Sequence, residues 1–147
     1  MEFITKSASE TQKFGQEIAA DLMANGQWSM AKIIALTGNL GSGKTTFVQG
    51  FAKGLGIKQR IISPTFILMR KYGENFYHID LYRLEEHVEE EVRNLGVEDI
   101  WKDPKNIVII EWAEKIKDVI PKEAKWIKFS NFGKDKRRIT VQDNFKF

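Results

Sequence analysis

At 147 residues and 42% hydrophobic content, the chain is long enough for one ordinary domain with a core and short for two. It has no cysteine, which excludes disulfides and thiolate metal sites and is compatible with a reducing compartment. The net charge is only +3, no apolar run approaches membrane-spanning length, and MEFITKSASE lacks the apolar core of a signal peptide. We therefore expect a cytoplasmic protein that forms a single domain over residues 1–147 and does not enter a membrane.

A strand and a helix are the first elements predicted along the chain. Residues 1–5, MEFIT, favour a short strand, and residues 7–26 favour a helix. Ser7 followed three residues later by Glu10 is a capping-box signature, and Gly26 is a typical helix terminator. The predicted apolar face of this helix consists of Phe14, Ile18 and Leu22.

A glycine-rich segment, LTGNLGSGKTTF at 36–47, follows an apolar run typical of a buried strand. It matches G-x-x-x-x-G-K-[ST] at Gly38, Gly43, Lys44 and Thr45. A helix is predicted directly after it, with apolar residues spaced by four at Phe47, Phe51 and Leu55. Strand, glycine loop and helix in this order are typical of a phosphate-binding loop, and a glycine turn with a surface lysine is the alternative.

Backbone N–H groups in such a loop and at the following helix N-terminus favour a polyphosphate. Lys44 is expected to reach the β- and γ-phosphates, and the Thr45 hydroxyl to coordinate Mg²⁺. The residues expected to bind nucleotide in this segment are Asn39, Leu40, Gly41, Ser42, Gly43, Lys44, Thr45 and Thr46.

Strand and helix patterns continue to alternate after the loop. The predicted elements are a β-hairpin around Gly73 and Glu74, a helix over 84–96, a buried strand in 106–112 and two strands within 124–142. The helix has an apolar stripe of Leu84, Val88, Val92 and Leu95. This order favours an α/β fold with a mainly parallel sheet flanked by helices, a β-hairpin and antiparallel C-terminal strands.

Acidic residues at strand ends are candidates for the second metal ligand, because Mg²⁺ prefers oxygen ligands. Glu111 closes the uniformly apolar IVII and is assigned to the metal, directly or through water; Asp80 follows FYHI and is assigned to the attacking water or the metal shell. Either acid could instead cap a helix. Thr65, in SPTF, is a third oxygen donor that could sense the γ-phosphate and Mg²⁺, or could be a surface turn residue.

Trp112 follows Glu111 and could stack on a base or a partner protein, or pack in the core. His78 and His87 have no partners at metal-ligand spacing and are predicted to be structural. The basic clusters at 58–60, 69–71 and 134–138 could face tRNA or another polyanion, but they have no interleaved aromatic residues, which favours a solvated surface.

The motifs GNLGSGKTTF, SPTF, HIDLYRL and IIEW, in this order and at these distances, resemble those of the TsaE family, also called YjeE. The resemblance covers about residues 7–115. It implies a P-loop fold and a small ATPase, weak alone, needed for the threonylcarbamoyl modification of adenosine in tRNAs that read codons beginning with A. The implied partner is a TsaB–TsaD complex, and a direct tRNA contact stays open.

Carried over by position, the resemblance assigns ATP and Mg²⁺ as ligands. Lys44 and Thr45 would bind phosphate and metal, Thr65 would be a switch-type residue and Asp80 a catalytic-site acid. Glu111 would be the Walker-B-like metal acid, with Trp112 as a functional neighbour in nucleotide binding. The family often has aspartate in the loop's second position, where this chain has Asn39.

Two other functions use the same loop. A small-molecule kinase usually adds an arginine-bearing lid, and no insertion of that kind is found in the sequence. A nucleotide-dependent binding module with incidental hydrolysis stays open, because no trans-acting arginine is assigned.

Overall fold

The structure is a computed structural model that describes residues 1–24, 28–62 and 68–142. Its strands are β1 (Glu2–Thr5), β2 (Lys32–Thr37), β3 (Met69–Tyr72), β4 (Phe76–Asp80), β5 (Ile107–Glu111), β6 (Lys125–Asn131) and β7 (Arg137–Val141). Its α-helices are α1 (Ala8–Ala24), α2 (Lys44–Gly54), α3 (Val88–Asn94) and α4 (Val97–Lys102), and a 3₁₀ helix spans Ala113–Ile116.

The chain divides into two compact units. The first contains Met1–Gln27, Thr37–Ile62 and Trp126–Phe147, and the second contains Trp28–Leu36 and Ser63–Lys125. The glycine-rich loop therefore belongs to the first unit, whereas both candidate acids belong to the second. The expectation of a single ATPase domain over residues 1–147 stays a prediction.

The start of α1 has the side-chain hydrogen bonds that its sequence predicts. The Glu10 N–H donates to Ser7 Oγ at 3.1 Å. The Glu10 carboxylate reaches back one residue further than in the usual capping box and accepts the Lys6 N–H at 3.1 Å. These bonds satisfy two backbone donors and so stabilise the first turn. The predicted terminator, Gly26, lies outside the described residues.

Glycines allow α1 and α2 to approach each other closely in the first unit. A Cβ at Gly15 would collide with the Phe47 carbonyl, and a Cβ at Gly50 would collide with the Gln12 backbone. Phe47 is fully buried beside Phe14, with ring centroids 5.9 Å apart, and beside Phe129, at 5.4 Å. The predicted apolar face of α1 and the Phe47 and Phe51 side chains of α2 therefore form the core of this unit, whereas Leu55 is the half-buried C-cap of α2.

Three antiparallel strands complete the first unit, in the order β1, β7, β6. Glu2 pairs with Thr140, and Ile127 pairs with Val141. The antiparallel C-terminal pair is as predicted. The sequence did not indicate that the N-terminal strand would join it.

The sheet of the second unit has the order β2, β5, β4, β3. β5 is parallel to both neighbours, and all five of its residues are buried, which confirms the prediction from its apolar sequence. β3 and β4 form the predicted antiparallel hairpin. The α/β class with a mixed sheet, parallel central strands and flanking helices is confirmed.

The helix predicted over 84–96 is shorter than expected. His87 has a positive φ of 54° just before α3 begins, and Leu84 lies in a preceding turn whose N–H donates to the Leu81 carbonyl at 3.1 Å. Val92 is the one buried residue of the predicted apolar stripe. The Lys115 ammonium holds the turn, because it donates to the carbonyls of Leu81, Tyr82 and Leu84. A lysine that is distant in sequence therefore overrides the local helical pattern.

Within the described residues, no helix has both the length and the apolar character needed to cross a membrane.

Candidate functional site

The glycine-rich loop connects the end of β2 to the start of α2 and has a backbone that side chains would disrupt. Gly38, Gly41 and Gly43 have φ angles of 138°, 78° and 102°. A Cβ at Gly38 would collide with the Phe129 carbonyl and lie 2.8 Å from Ser42 Oγ. The glycines of the motif are thus required by conformation and, at Gly38, by space.

Lys44 directs its charge into this loop. The residue is 4% exposed, and its Nζ donates to the carbonyls of Gly38 and Asn39, the latter at 3.0 Å. The Asn39 carbonyl also accepts the Ser42 N–H at 3.1 Å, which closes the turn. The loop therefore surrounds a fixed ammonium group, the feature expected of a site for anionic oxygens.

Ser42 supplies a buried hydroxyl beside the start of α2. It is 1% exposed, and its Oγ has no hydrogen-bond partner among the residues that the structure describes. Gly43 is the N-cap residue of α2 and provides no side-chain cap. Buried polar groups are nearly always satisfied, so an anionic ligand is a chemically fitting partner for the Ser42 hydroxyl. Thr45 and Thr46 lie half-buried in the first helical turn.

Arg137, at the start of β7, packs against the loop. A Cβ at Gly43 would lie 3.4 Å from both Cγ and Nε of Arg137. A cavity of about 70 Å³ is lined by Ser7, Ala8, Thr11, Gly43, Thr46, Asp135 and Arg137. The sequence marked Arg137 as part of a basic cluster, without any link to the loop. Only the pairing of the C-terminal strands could have provided that link.

Asp80 and Glu111 end two adjacent parallel strands and lie opposite each other in the register of β4 and β5. The Leu81 N–H donates to the Glu111 carbonyl at 3.2 Å, which continues the pairing past the strand end. Asp80 Oδ1 accepts the Tyr82 N–H at 3.0 Å. The structure thus brings the two candidate acids together, one half-buried and one buried.

Glu111 has a partner that the sequence did not indicate. His78 Nε2 lies 2.6 Å from Glu111 Oε2, and the two side chains are 0% and 3% exposed. His78 was predicted to be structural because it has no partner at metal-ligand spacing in the sequence. The partner is 33 residues away and is reached only through the pairing of β4 with β5.

Trp112 has a backbone conformation that is uncommon for a bulky residue. Its φ and ψ are 61° and 38°, in the left-handed region. The half-buried indole packs against the Tyr82 ring at 5.4 Å, and the Lys115 ammonium lies 5.5 Å from its centroid. Such strain is typical of positions with a functional constraint. Trp112 thus lies at the end of β5, directly beside Glu111.

The predicted site residues fall into two groups. The nucleotide-binding segment, including Lys44 and Thr45, lies in the first unit, and Asp80, Glu111 and Trp112 lie in the second. Thr65 lies outside the described residues. In the part of the chain that the structure describes, no three acidic or histidine side chains are grouped to hold a metal ion. Mg²⁺ bound to nucleotide needs few protein ligands, because phosphates and water supply the others, so one hydroxyl and one carboxylate fit this ion.

A family model described as "Threonylcarbamoyl adenosine biosynthesis protein TsaE" matches residues 5–139. This match includes β6 and most of β7, so the resemblance found in the sequence at about 7–115 was too short.

Curated relatives share the same description, "tRNA threonylcarbamoyladenosine biosynthesis protein TsaE". The Bacillus subtilis relative is 38% identical over 111 residues, which cover 74% of this chain and 67% of the relative. The Treponema pallidum relative is 32% identical over 143 residues, covering 96% and 99%. The crystal structure of YdiB from Bacillus subtilis matches with a TM-score of 0.73 and 30% identity, covering 96% of this chain and 83% of YdiB.

Proposed function

This chain belongs to the TsaE family of threonylcarbamoyladenosine biosynthesis proteins, and we propose that it acts there as a Mg²⁺-dependent ATPase working with a TsaB–TsaD complex. Its place in tRNA modification follows from the family. The nucleotide, the metal and the partner complex are the proposal.

The phosphate loop is the observation that carries the proposal. Its glycines have positive φ angles, a backbone conformation that suits a loop around a polyphosphate. Two side chains can donate to such a ligand: the Lys44 ammonium, now bound to loop carbonyls, and the Ser42 hydroxyl, which has no hydrogen-bond partner among the described residues. In this proposal, Lys44 moves from the carbonyls of Gly38 and Asn39 to the β- and γ-phosphates. Backbone N–H groups of residues 39–46 bind the remaining phosphate oxygens.

Metal binding is proposed for one residue of each group. Thr45 would provide a hydroxyl, and Glu111 a carboxylate that binds Mg²⁺ directly or through water. The place of Glu111 supports its part in this role, because it is the last residue of β5 and pairs with Leu36 of β2. When bound, Mg²⁺ neutralises charge on the β- and γ-phosphates. Asp80, opposite Glu111, would orient the attacking water, and Thr65 would respond to the γ-phosphate.

Three further side chains have proposed roles at the edges of this site. Thr46 and Arg137 line the small cavity beside Gly43 and would contact the nucleotide from the side of α1. Trp112, fixed by its contact with Tyr82, would stack on the nucleotide or on the partner complex. These roles extend the site beyond the loop itself.

The decisive experiment measures phosphate release from ATP by the chain alone and with the TsaB–TsaD complex of the same organism. We expect slow hydrolysis alone and strong stimulation by the complex, both requiring Mg²⁺, and loss of the stimulated rate with Lys44→Ala. Nucleotide-dependent binding to the complex without stimulation would instead indicate a binding module. Transfer of the γ-phosphate to a small acceptor, without release of phosphate, would indicate a kinase.

A further inference from the structure

We propose that His78 is a positioning residue that holds the Glu111 carboxylate in the orientation that binds Mg²⁺ or a water of its coordination shell. The inference rests on the metal role proposed for Glu111. It assigns a function to a histidine that belongs to the HIDLYRL motif and was predicted from the sequence to be structural.

The parallel pairing of β4 and β5 creates the contact. His78 lies opposite Ile109, and Asp80 lies opposite Glu111, so His78 and Asp80 are two residues apart on one strand. Residues two apart on a strand point to the same face of the sheet. The imidazole of His78 on β4 therefore lies on the same face of the sheet as the Glu111 side chain on β5, with Nε2 2.6 Å from Oε2.

The other imidazole nitrogen indicates which tautomer is present. His78 Nδ1 is buried, and no described residue offers it a hydrogen-bond partner. A proton on Nδ1 would therefore be a buried donor without an acceptor, which is costly. The Nε2–H tautomer avoids this cost and donates its proton to the carboxylate. This hydrogen bond orients the Glu111 carboxylate.

A buried histidine at position 78 favours a functional pair with Glu111 over a role in packing alone. An aliphatic residue at position 78 would fill a fully buried strand position without any polar group to satisfy. The imidazole instead forms a hydrogen bond with one named oxygen of the Glu111 carboxylate, Oε2, and so restricts the orientation of the carboxylate. Hydrogen bonds to metal-binding side chains commonly set their orientation and affect metal affinity about 10- to 100-fold.

Two variants of His78 separate positioning from packing. His78→Leu removes the donor, and His78→Gln places an amide N–H near the original Nε2. We expect His78→Leu to raise the Mg²⁺ concentration for half-maximal ATP hydrolysis about tenfold or more. The same variant should reduce the increase in ADP affinity that Mg²⁺ produces, measured by calorimetry, while ADP affinity in chelator stays within about twofold of wild type. His78→Gln should restore most of both effects. An unchanged Mg²⁺ requirement in His78→Leu, or failure of His78→Gln to restore it, would overturn the proposal.

Imidazole nitrogen NMR of the untagged wild-type protein tests the hydrogen bond even where His78→Leu does not fold. The chain has two histidines, and His87 is exposed, so it serves as an internal reference. We expect His78 to show the neutral Nε2–H tautomer, with an Nε2 proton shifted downfield by the short hydrogen bond. An Nε2 without a proton would contradict the proposal.

A Glu111→Gln variant distinguishes failure of this inference from failure of the proposed function. If Glu111→Gln raises the Mg²⁺ requirement and His78→Leu does not, the positioning role alone is wrong. If Glu111→Gln leaves the Mg²⁺ requirement unchanged, the metal role of Glu111 is wrong and the positioning role falls with it.

Discussion

The Arg137 side chain lies against Gly43, so close that a Cβ at Gly43 would be 3.4 Å from both Cγ and Nε of the arginine. Gly43 is the last glycine of the glycine-rich loop and the N-cap of α2. A cation from the C-terminal strands is therefore placed beside the N-terminus of the helix that follows the loop, where anions are favoured.

Arg137→Ala is expected to weaken ADP and ATP binding about 10- to 100-fold, because a charge-assisted hydrogen bond contributes about 1.5–3 kcal/mol. Calorimetric titration measures this directly. Arg138→Ala is the matched control, since Arg138 is engaged elsewhere, with Glu2 at 2.7 Å and over the Phe132 ring at 4.4 Å. Equal affinities for Arg137→Ala and wild type would exclude Arg137 from the nucleotide site.

Lys44→Ala is expected to weaken ATP binding about 10- to 100-fold and to abolish turnover, because it removes the cation from the loop. Calorimetry and phosphate release measure the two effects. Lys53→Ala is a control on the same helix, where an exposed lysine lies in the last turn. Nucleotide affinity that survives Lys44→Ala would contradict the phosphate-binding role.

Glu111→Ala is expected to impair Mg²⁺-dependent hydrolysis and to lower the free energy of unfolding by about 1–3 kcal/mol, since the His78 N–H loses its buried acceptor. Phosphate release over a Mg²⁺ series and urea unfolding measure the two effects. Glu114→Ala, an exposed acid nearby, should change neither. Wild-type rates of Glu111→Ala at saturating Mg²⁺ would transfer the metal role to Asp80, or to no side chain beyond Thr45.

Much of the fold was predictable because its signals are local. The four apolar residues at the start of β5, the glycines around α2 and the hairpin turn at Gly73 each act within a few residues of sequence. The glycine-rich loop between β2 and α2 was located from its motif for the same reason; its role in phosphate binding stays a prediction.

The contacts that give the site its detail were not predictable, because they depend on strand pairing. His78 reaches Glu111 through the register of β4 with β5, and Arg137 reaches Gly43 from a strand at the other end of the chain. Lys115 similarly holds the turn before α3 by donating to the carbonyls of Leu81 and Leu84, so the helix begins later than its apolar pattern predicts. In each of these three contacts, the sequence around the side chain does not indicate which distant residue it will contact.

Gly50→Ala tests the close approach of α1 and α2 that supports the loop. Helix propensity alone would make alanine more stable than glycine in a helix interior by about 1 kcal/mol. The added Cβ, however, would overlap the Gln12 backbone of α1, and overpacking typically costs about 1–3 kcal/mol. We therefore expect Gly50→Ala to lower the free energy of unfolding, measured by urea titration.

The sign of the change in the free energy of unfolding of Gly50→Ala shows whether helix propensity or overpacking is larger. Lys53→Ala, an exposed change on the same helix, should stay within about 0.5 kcal/mol of wild type. A free energy of unfolding that rises with Gly50→Ala would mean that propensity prevails and that the helices are not in backbone contact at Gly50. A decrease together with weaker nucleotide binding would show that this contact also positions α2, whose first residue is Lys44.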